Sequence, residues 1–190
     1  MKLVFATNNP NKLSELQALV PDGIEILSLK DINCNEELPE TNPTLQANAL
    51  QKAKYVFDNY GFNCFADDTG LEIEALGGAP GVYSARYAGK YCKAEDNMQK
   101  VLKRLSGEEN RMAKFRTIIA LIIDGKETLF EGECKGSMTK TKSGAEGFGY
   151  DPIFTPEGCE LTFAEMNKVE KGKISHRGKA VRQLVSFLHR

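Results

Sequence analysis

Two neighbouring carboxylates, Asp67 and Asp68, and the hydroxyl of Thr69 after them are the side chains in this sequence best suited to chemistry. They stand in the run Phe65-Ala66-Asp67-Asp68-Thr69-Gly70-Leu71, where apolar residues lead straight into charge. A strand that buries Cys64, Phe65 and Ala66 and then ends at a ligand has this form, with Gly70 permitting a turn in which the carboxylates diverge. Successive strand residues point to opposite faces, so one carboxylate can head a site while the other braces the loop. A carboxylate so placed can bind a hard divalent cation, take a proton from water, or do both. The same residues also admit a plain polar turn, with an aspartate bonding its own backbone.

Five other stretches carry candidate ligand contacts. Thr7-Asn8-Asn9-Pro10-Asn11-Lys12 is a polar loop between an apolar strand at 3–6 and a helix expected over 12–20, where Leu13, Leu16, Leu19 and Val20 recur at helical spacing. Free backbone N–H groups and a lysine at a helix start suit an anion, although an ordinary strand-to-helix connection reads the same way. Glu36, Glu37 and Glu40 lie in an acidic loop broken by Pro39 and Pro43; it reads as solvated surface or as an oxygen donor to a cation near Asp68. Residues 77–86 and 144–151 are glycine-rich loops. The first holds Arg86, an anion clamp or part of a flexible connection; the second holds Phe148 and Tyr150, which could stack on a planar base. Ser175-His176-Arg177, at the start of the last helix, offers fixed donors to carbonyls or phosphates, with Ser175 alternatively a simple cap.

The elements between them read as one α/β domain spanning 1–190. A helix from Thr44, as cap, to Tyr60 before Gly61 carries the apolar stripe Ala49, Leu50, Ala53, Val56, Phe57 and Tyr60, with Lys52 and Lys54 on or near its other faces as solvated side chains or phosphate contacts. A helix at 94–105, a β-branched strand at 115–123 and a return strand after Asp124-Gly125 complete the scaffold. Hydrophobic residues make up 41% and charged residues 27%, so the chain is globular and not disordered. A net charge of −1 supplies no global field toward nucleic acid or an anionic membrane. Cysteines 34, 64, 92, 134 and 159 form no Cys-x-x-Cys pair, which argues against structural zinc and a disulfide framework. Their odd number, and an N-terminal apolar run too short for a signal or a span, lead us to expect a cytoplasmic protein.

Taken together, cations for phosphates, carboxylates for a divalent ion, aromatics for a base and His-Arg for ring substituents describe a nucleoside triphosphate site with its metal. The chain resembles the inosine triphosphate pyrophosphatase family, the dITP/XTP pyrophosphatases. The resemblance rests on Ala6-Thr7-Asn8-Asn9 through Lys12, on 65–71, on Leu76-Gly77-Gly78-Ala79-Pro80-Gly81-Val82-Tyr83-Ser84-Ala85-Arg86-Tyr87, on Gly147-Phe148-Gly149-Tyr150-Asp151-Pro152 and on Ser175-His176-Arg177, in that order along nearly the full length. It implies hydrolysis of deaminated purine triphosphates (ITP, dITP, XTP) to the monophosphate and pyrophosphate. It implies Mg²⁺ bound by Asp68 and Glu40, with Asp68 also the general base. Thr7, Asn8, Asn9, Pro10, Asn11 and Lys12 would cradle phosphate and sugar; Thr69, Phe148, Gly149, Tyr150, Asp151, Lys171, His176 and Arg177 would hold the rest of the substrate. The implied fold is an elongated mixed sheet flanked by helices in two lobes, with the site in the cleft, as a homodimer. The sequence departs from the family where Asn8 replaces a common glycine and Thr69 a common serine; asparagine tolerates a left-handed backbone, and threonine keeps the hydroxyl. A nucleotide-binding module without catalysis, a pyrophosphatase for another modified nucleotide and a single-stranded nucleic-acid binder are the competing readings.

Overall fold

The computed structural model describes residues 1–91 and 93–189; Cys92, one of the five cysteines counted above, and Arg190 lie outside the described residues. Leu3, Val4 and Phe5 are buried on both sides and form β1 (Lys2–Phe5). This strand pairs in parallel with β2 (Glu25–Leu27) and with β3 (Cys64–Ile73). Parallel neighbours need crossovers, and α1 (Pro10–Gln17) and α2 (Leu45–Tyr60) lie in the two connections. Thr44 caps α2 by accepting from Ala47 N, and Gly61 ends it at φ +71°, as the sequence predicts. The remaining elements are β4 (Pro80–Gly81), α3 (Ala94–Arg104), β5 (Met112–Ile123), β6 (Lys126–Met138), β7 (Phe154–Pro156), α4 (Lys168–Ile174) and α5 (His176–Leu188). The sheet has seven strands in the order β2-β1-β3-β5-β6-β7, with β4 antiparallel on β3 and β7 antiparallel on β6. The fold is therefore mixed α/β, as expected.

The acidic stretch departs from expectation in one respect. β3 runs unbroken from Cys64 to Ile73, so Asp67, Asp68 and Thr69 lie inside a strand and Gly70 makes no turn. Strand alternation alone separates the two carboxylates. The lysine-rich stretch before Ser175 is itself a helix, α4. Asn167 accepts from Glu170 N and Glu170 accepts from Asn167 N, a reciprocal cap that starts it.

By its contacts the chain divides into two compact units: 1–68 with 117–132 and 177–190, and 69–116 with 133–176. The first packs Leu3, Phe5, Leu16, Phe65, Ile119, Leu121, Phe130, Val181 and Leu184 into one core, with the Phe5 and Phe65 rings stacked at 4.8 Å. The second has its own core of Leu71, Ile73, Val101, Phe115, Tyr150, Phe154 and Phe163. There β6 approaches β7 so closely that a Cβ on Gly136 would overlap the Thr155 carbonyl and the Phe154 ring. Gly136→Ala should therefore destabilise the protein by about 1–3 kcal/mol, the usual cost of overpacking, as read from urea or thermal melts. An unchanged midpoint would show that β7 can move away freely.

Candidate active site

In the first unit, Asp67 and Asp68 begin two different networks from one strand. Asp67 is only 1% exposed. Its Oδ1 accepts from Lys12 Nζ at 3.0 Å and its Oδ2 from Arg177 Nε and a terminal guanidinium nitrogen, each at 3.1 Å. The same guanidinium bonds Glu15 of α1, so two carboxylates and two cations close on one another. Burial alone would raise the Asp67 pKa, but Lys12, Arg177 and Lys52 together hold it well below the usual carboxylate range. Asp68 faces the other way. Its Oδ1 lies 3.9 Å from Lys52 Nζ, an ammonium that also bonds Glu40 and donates to the Asp67 carbonyl at 2.7 Å. Here burial wins: it raises the Asp68 pKa despite the opposing pull of Lys52 and Lys12. Glu40, which burial would also raise, is instead held low by the directly bonded Lys52. Two carboxylates side by side in sequence thus differ in kind, one kept ionised and one with raised proton affinity.

The loop before α1 does less with its backbone than the sequence suggests. Pro10 has no N–H, and those of Asn11 and Lys12 both go to Asn9 Oδ1. Free amides are therefore not on offer at this helix start; the cation is the Lys12 side chain. Thr7 Oγ1 accepts from Asn9 N and shapes the loop. Asn8 does not adopt the left-handed backbone for which asparagine is suited. Its amide bridges to the acidic loop instead, donating to the Glu36 carbonyl and accepting from Leu38 N, both at 3.0 Å. Of the three acidic-loop carboxylates, Glu36 is taken by the Tyr60 hydroxyl and the Cys34 thiol, and Glu37 is exposed. Glu40 is the one that joins Lys52 and Asp68.

In the second unit, Asp151 organises the loop 144–151. Its Oδ2 accepts from Phe148 N at 2.9 Å and from Lys171 Nζ at 2.6 Å, and both residues of that ion pair are buried. The Lys171 ammonium also lies 5.1 Å from the centre of the Phe148 ring. Gly147, at φ +72°, leaves room for the Asp151 carboxylate, which a Cβ would strike. Gly149 and Phe148 are half-buried, as is Thr69 on β3. Tyr150, expected to stack on a base, is a core residue at 5% exposure, with its hydroxyl donating to the Ser84 carbonyl at 2.6 Å. The His176 ring is buried and stacks on Phe115 at 4.6 Å. The glycine-rich stretch at 77–86 is tied down: β4 pairs with β3, and Ser84 Oγ accepts from Leu71 N and donates to the Gly81 carbonyl. Arg86 lies 5.2 Å over the Tyr83 ring.

Lys52, read from the sequence as a solvated side chain or phosphate contact on or near another face of α2, instead falls three residues after Ala49 and four before Val56, on the buried stripe, where a charge needs a partner. Glu15 was not singled out by the sequence, and Ser84 appeared only within the run at 76–87, with no role of its own.

A model of the Ham1 family matches residues 3–187. The chain belongs to the Ham1 family. Among its relatives, a dITP/XTP pyrophosphatase of Flavobacterium johnsoniae is 56% identical over 188 residues, covering 99% of this chain and 98% of that protein. One from Christiangramia forsetii is also 56% identical over 188 residues, covering 99% of each. The structure of a HAM1 protein from Coxiella burnetii superposes with a TM-score of 0.90 at 37% identity, over 100% of this chain and 98% of that one. The family resemblance read from the five sequence runs is thereby borne out.

Removing the charge at Asp67 tests its network. Asp67→Asn removes the carboxylate that Lys12 and Arg177 share and should cost roughly 3–5 kcal/mol at pH 7, as breaking a buried ion pair does. Because the folded pKa lies below the ordinary aspartate value, the wild-type advantage is full above that ordinary value and fades as pH falls through the folded one. Urea melts at pH 7 and pH 3 should show the gap narrowing; a constant gap would place the stabilisation elsewhere.

Proposed function

We propose that this Ham1 family chain hydrolyses ITP, dITP and XTP at the α–β phosphoanhydride, giving the monophosphate and pyrophosphate and clearing deaminated purines from the nucleotide pool. The observation that carries the reading is the split pair: Asp68, with raised proton affinity, beside Asp67, locked as an anion between Lys12 and Arg177. A pure nucleotide binder has no use for a buried base next to two lysines. The two curated relatives carry the name dITP/XTP pyrophosphatase, which points the same way.

Asp68 accepts the proton of the attacking water; its burial makes it a stronger base than a solvated aspartate. Lys12 and Lys52 face the charge that grows on the departing pyrophosphate. Burial lowers the Lys12 pKa and would lower that of Lys52, but Asp68 and Glu40 more than restore the latter, so Lys52 stays an ammonium. Arg177, whose guanidinium is bound by Asp67 and Glu15, serves in this reading to hold Asp67 and through it Lys12.

Glu40 and Asp68 suit a hard cation, because both carboxylates already converge on one ammonium. No cluster of three or more His, Cys, Asp or Glu side chains is gathered among the described residues. Mg²⁺, which is commonly held by one or two carboxylates with water and phosphate oxygens completing its shell, fits such a set. When bound it would neutralise phosphate oxygens and orient the nucleophile. The nucleobase is assigned to Phe148 for stacking and to Lys171 and His176 as donors to the 6-carbonyl; an adenine amino group would meet those donors with nothing to accept them. A homodimer is proposed on the family resemblance. A reducing, cytoplasmic setting is proposed on the odd cysteine count and the buried thiols of Cys34, Cys64 and Cys134. Among the described residues no helix is long and apolar enough to cross a membrane.

Pyrophosphate release from ITP, dITP, XTP, ATP, GTP and dUTP, with Mg²⁺ and with EDTA, tests the reading. Metal-dependent release from the first three alone is expected. Release from all six would remove the base filter, and release from none would leave a binding module. Asp68→Asn should lower turnover by roughly 10²–10⁴-fold with a melting point unchanged or higher, since burial opposes the charge it removes. Undiminished turnover would end the role of Asp68 as base.

A further inference from the structure

The acidic loop poses a mechanical problem. Glu40 sits in irregular chain between Pro39 and Pro43, and a loop carboxylate holds a cation well only when its backbone is fixed to within about half an ångström. The rigid element beside it is α2, whose residues Asn48, Gln51 and Lys52 share a face by helical spacing. Lys52 bonds the Glu40 carboxylate itself. The other two grip the residues that follow. Asn48 Oδ1 accepts from Asn42 N at 2.8 Å. Gln51 Oε1 accepts from Thr41 N at 3.0 Å and from Asn42 Nδ2 at 2.8 Å, and Gln51 Nε2 donates to Thr41 Oγ1 at 2.9 Å. Two side chains thus make four hydrogen bonds to two consecutive loop residues.

We propose that Asn48 and Gln51 are positioning residues that clamp the loop at Thr41 and Asn42 and so present the Glu40 carboxylate for cation binding. The proposal rests on the reading of Glu40 and Asp68 as the cation-binding pair. Helix capping does not explain the contacts, because Thr44 already caps α2. Nor does packing: Asn48 is fully buried, and its Nδ2 has no hydrogen-bond partner among the described residues. An aliphatic side chain would fill that place without a buried donor left over. What the amide supplies is its Oδ1, and that oxygen holds the loop.

The test uses the full chain and Mn²⁺ as the probe, followed by electron paramagnetic resonance without nucleotide, alongside the Mg²⁺ dependence of pyrophosphate release from ITP. Gln51→Met keeps the side-chain length and removes the hydrogen bonds. It should weaken Mn²⁺ binding by roughly 10–100-fold, the usual effect of losing a group that orients a ligand. The Mg²⁺ concentration for half-maximal turnover should rise in parallel, with turnover recovering as Mg²⁺ is raised. Asn48→Leu should act alike, and Gln51→Met decides alone should that variant not fold. A folded Gln51→Met protein with wild-type Mn²⁺ affinity would overturn the clamp. Glu40→Gln separates the two levels of the argument: should it bind Mn²⁺ as tightly as wild type, the cation-binding pair itself has been misplaced.

Discussion

A carboxylate as thoroughly removed from water as Asp67 stays ionised because Lys12 and Arg177 lie against it, with Lys52 adding to their pull. That requirement reaches far along the chain. Lys12 belongs to the first turn of α1, Arg177 to the first turn of α5, and Asp67 to β3. Glu15 closes the ring by binding Arg177 from α1. A shift of any of these elements by one residue would leave a bare charge in the interior. Such a network gains little net stability over an apolar core of equal volume, because desolvation offsets most of the attraction. What it does is exclude other arrangements, and the arrangement it selects is the one that puts Asp68 on the opposite face of the strand, toward Lys52 and Glu40.

The sequence made the carrying features of this fold and site visible because they have strong local causes. The run Leu3-Val4-Phe5 is apolar on both faces and became a strand flanked on both sides; Thr44 and Gly61 bound α2 through chemistry confined to a few residues. Asp67 and Asp68 announced themselves as charge at the end of an apolar run. The rest depended on partners distant in sequence. Nothing local says that Arg177 is spoken for by Asp67, 110 residues away, or that Tyr150 turns inward to reach Ser84. Gly70 suggested a turn because glycine usually breaks a strand, yet the ladder carried β3 through it.

Glycine-rich composition also misled in a consistent direction. The stretches at 77–86 and 144–151 look loose, but polar side chains within or beside them tie the backbone down. Ser84 bonds two backbone groups, and Asp151 accepts from Phe148 N while Lys171 neutralises it. The glycine at 147 marks a place where a carboxylate must come close, not a place where the chain must move.

The Lys52 ammonium, set between Glu40 and Asp68, has a consequence of its own. The pair of carboxylates is never a bare anionic trap; it is already loaded with an internal monovalent cation on a tether. A sodium or potassium ion entering there would exchange one positive charge for another and gain nothing to offset the displaced lysine. A doubly charged ion doubles the attraction, and an incoming anionic ligand gives the displaced ammonium somewhere to go. Under the proposed reading the site would act as a small ion exchanger graded by valence, favouring a divalent ion that arrives with phosphate over the monovalent salt around it.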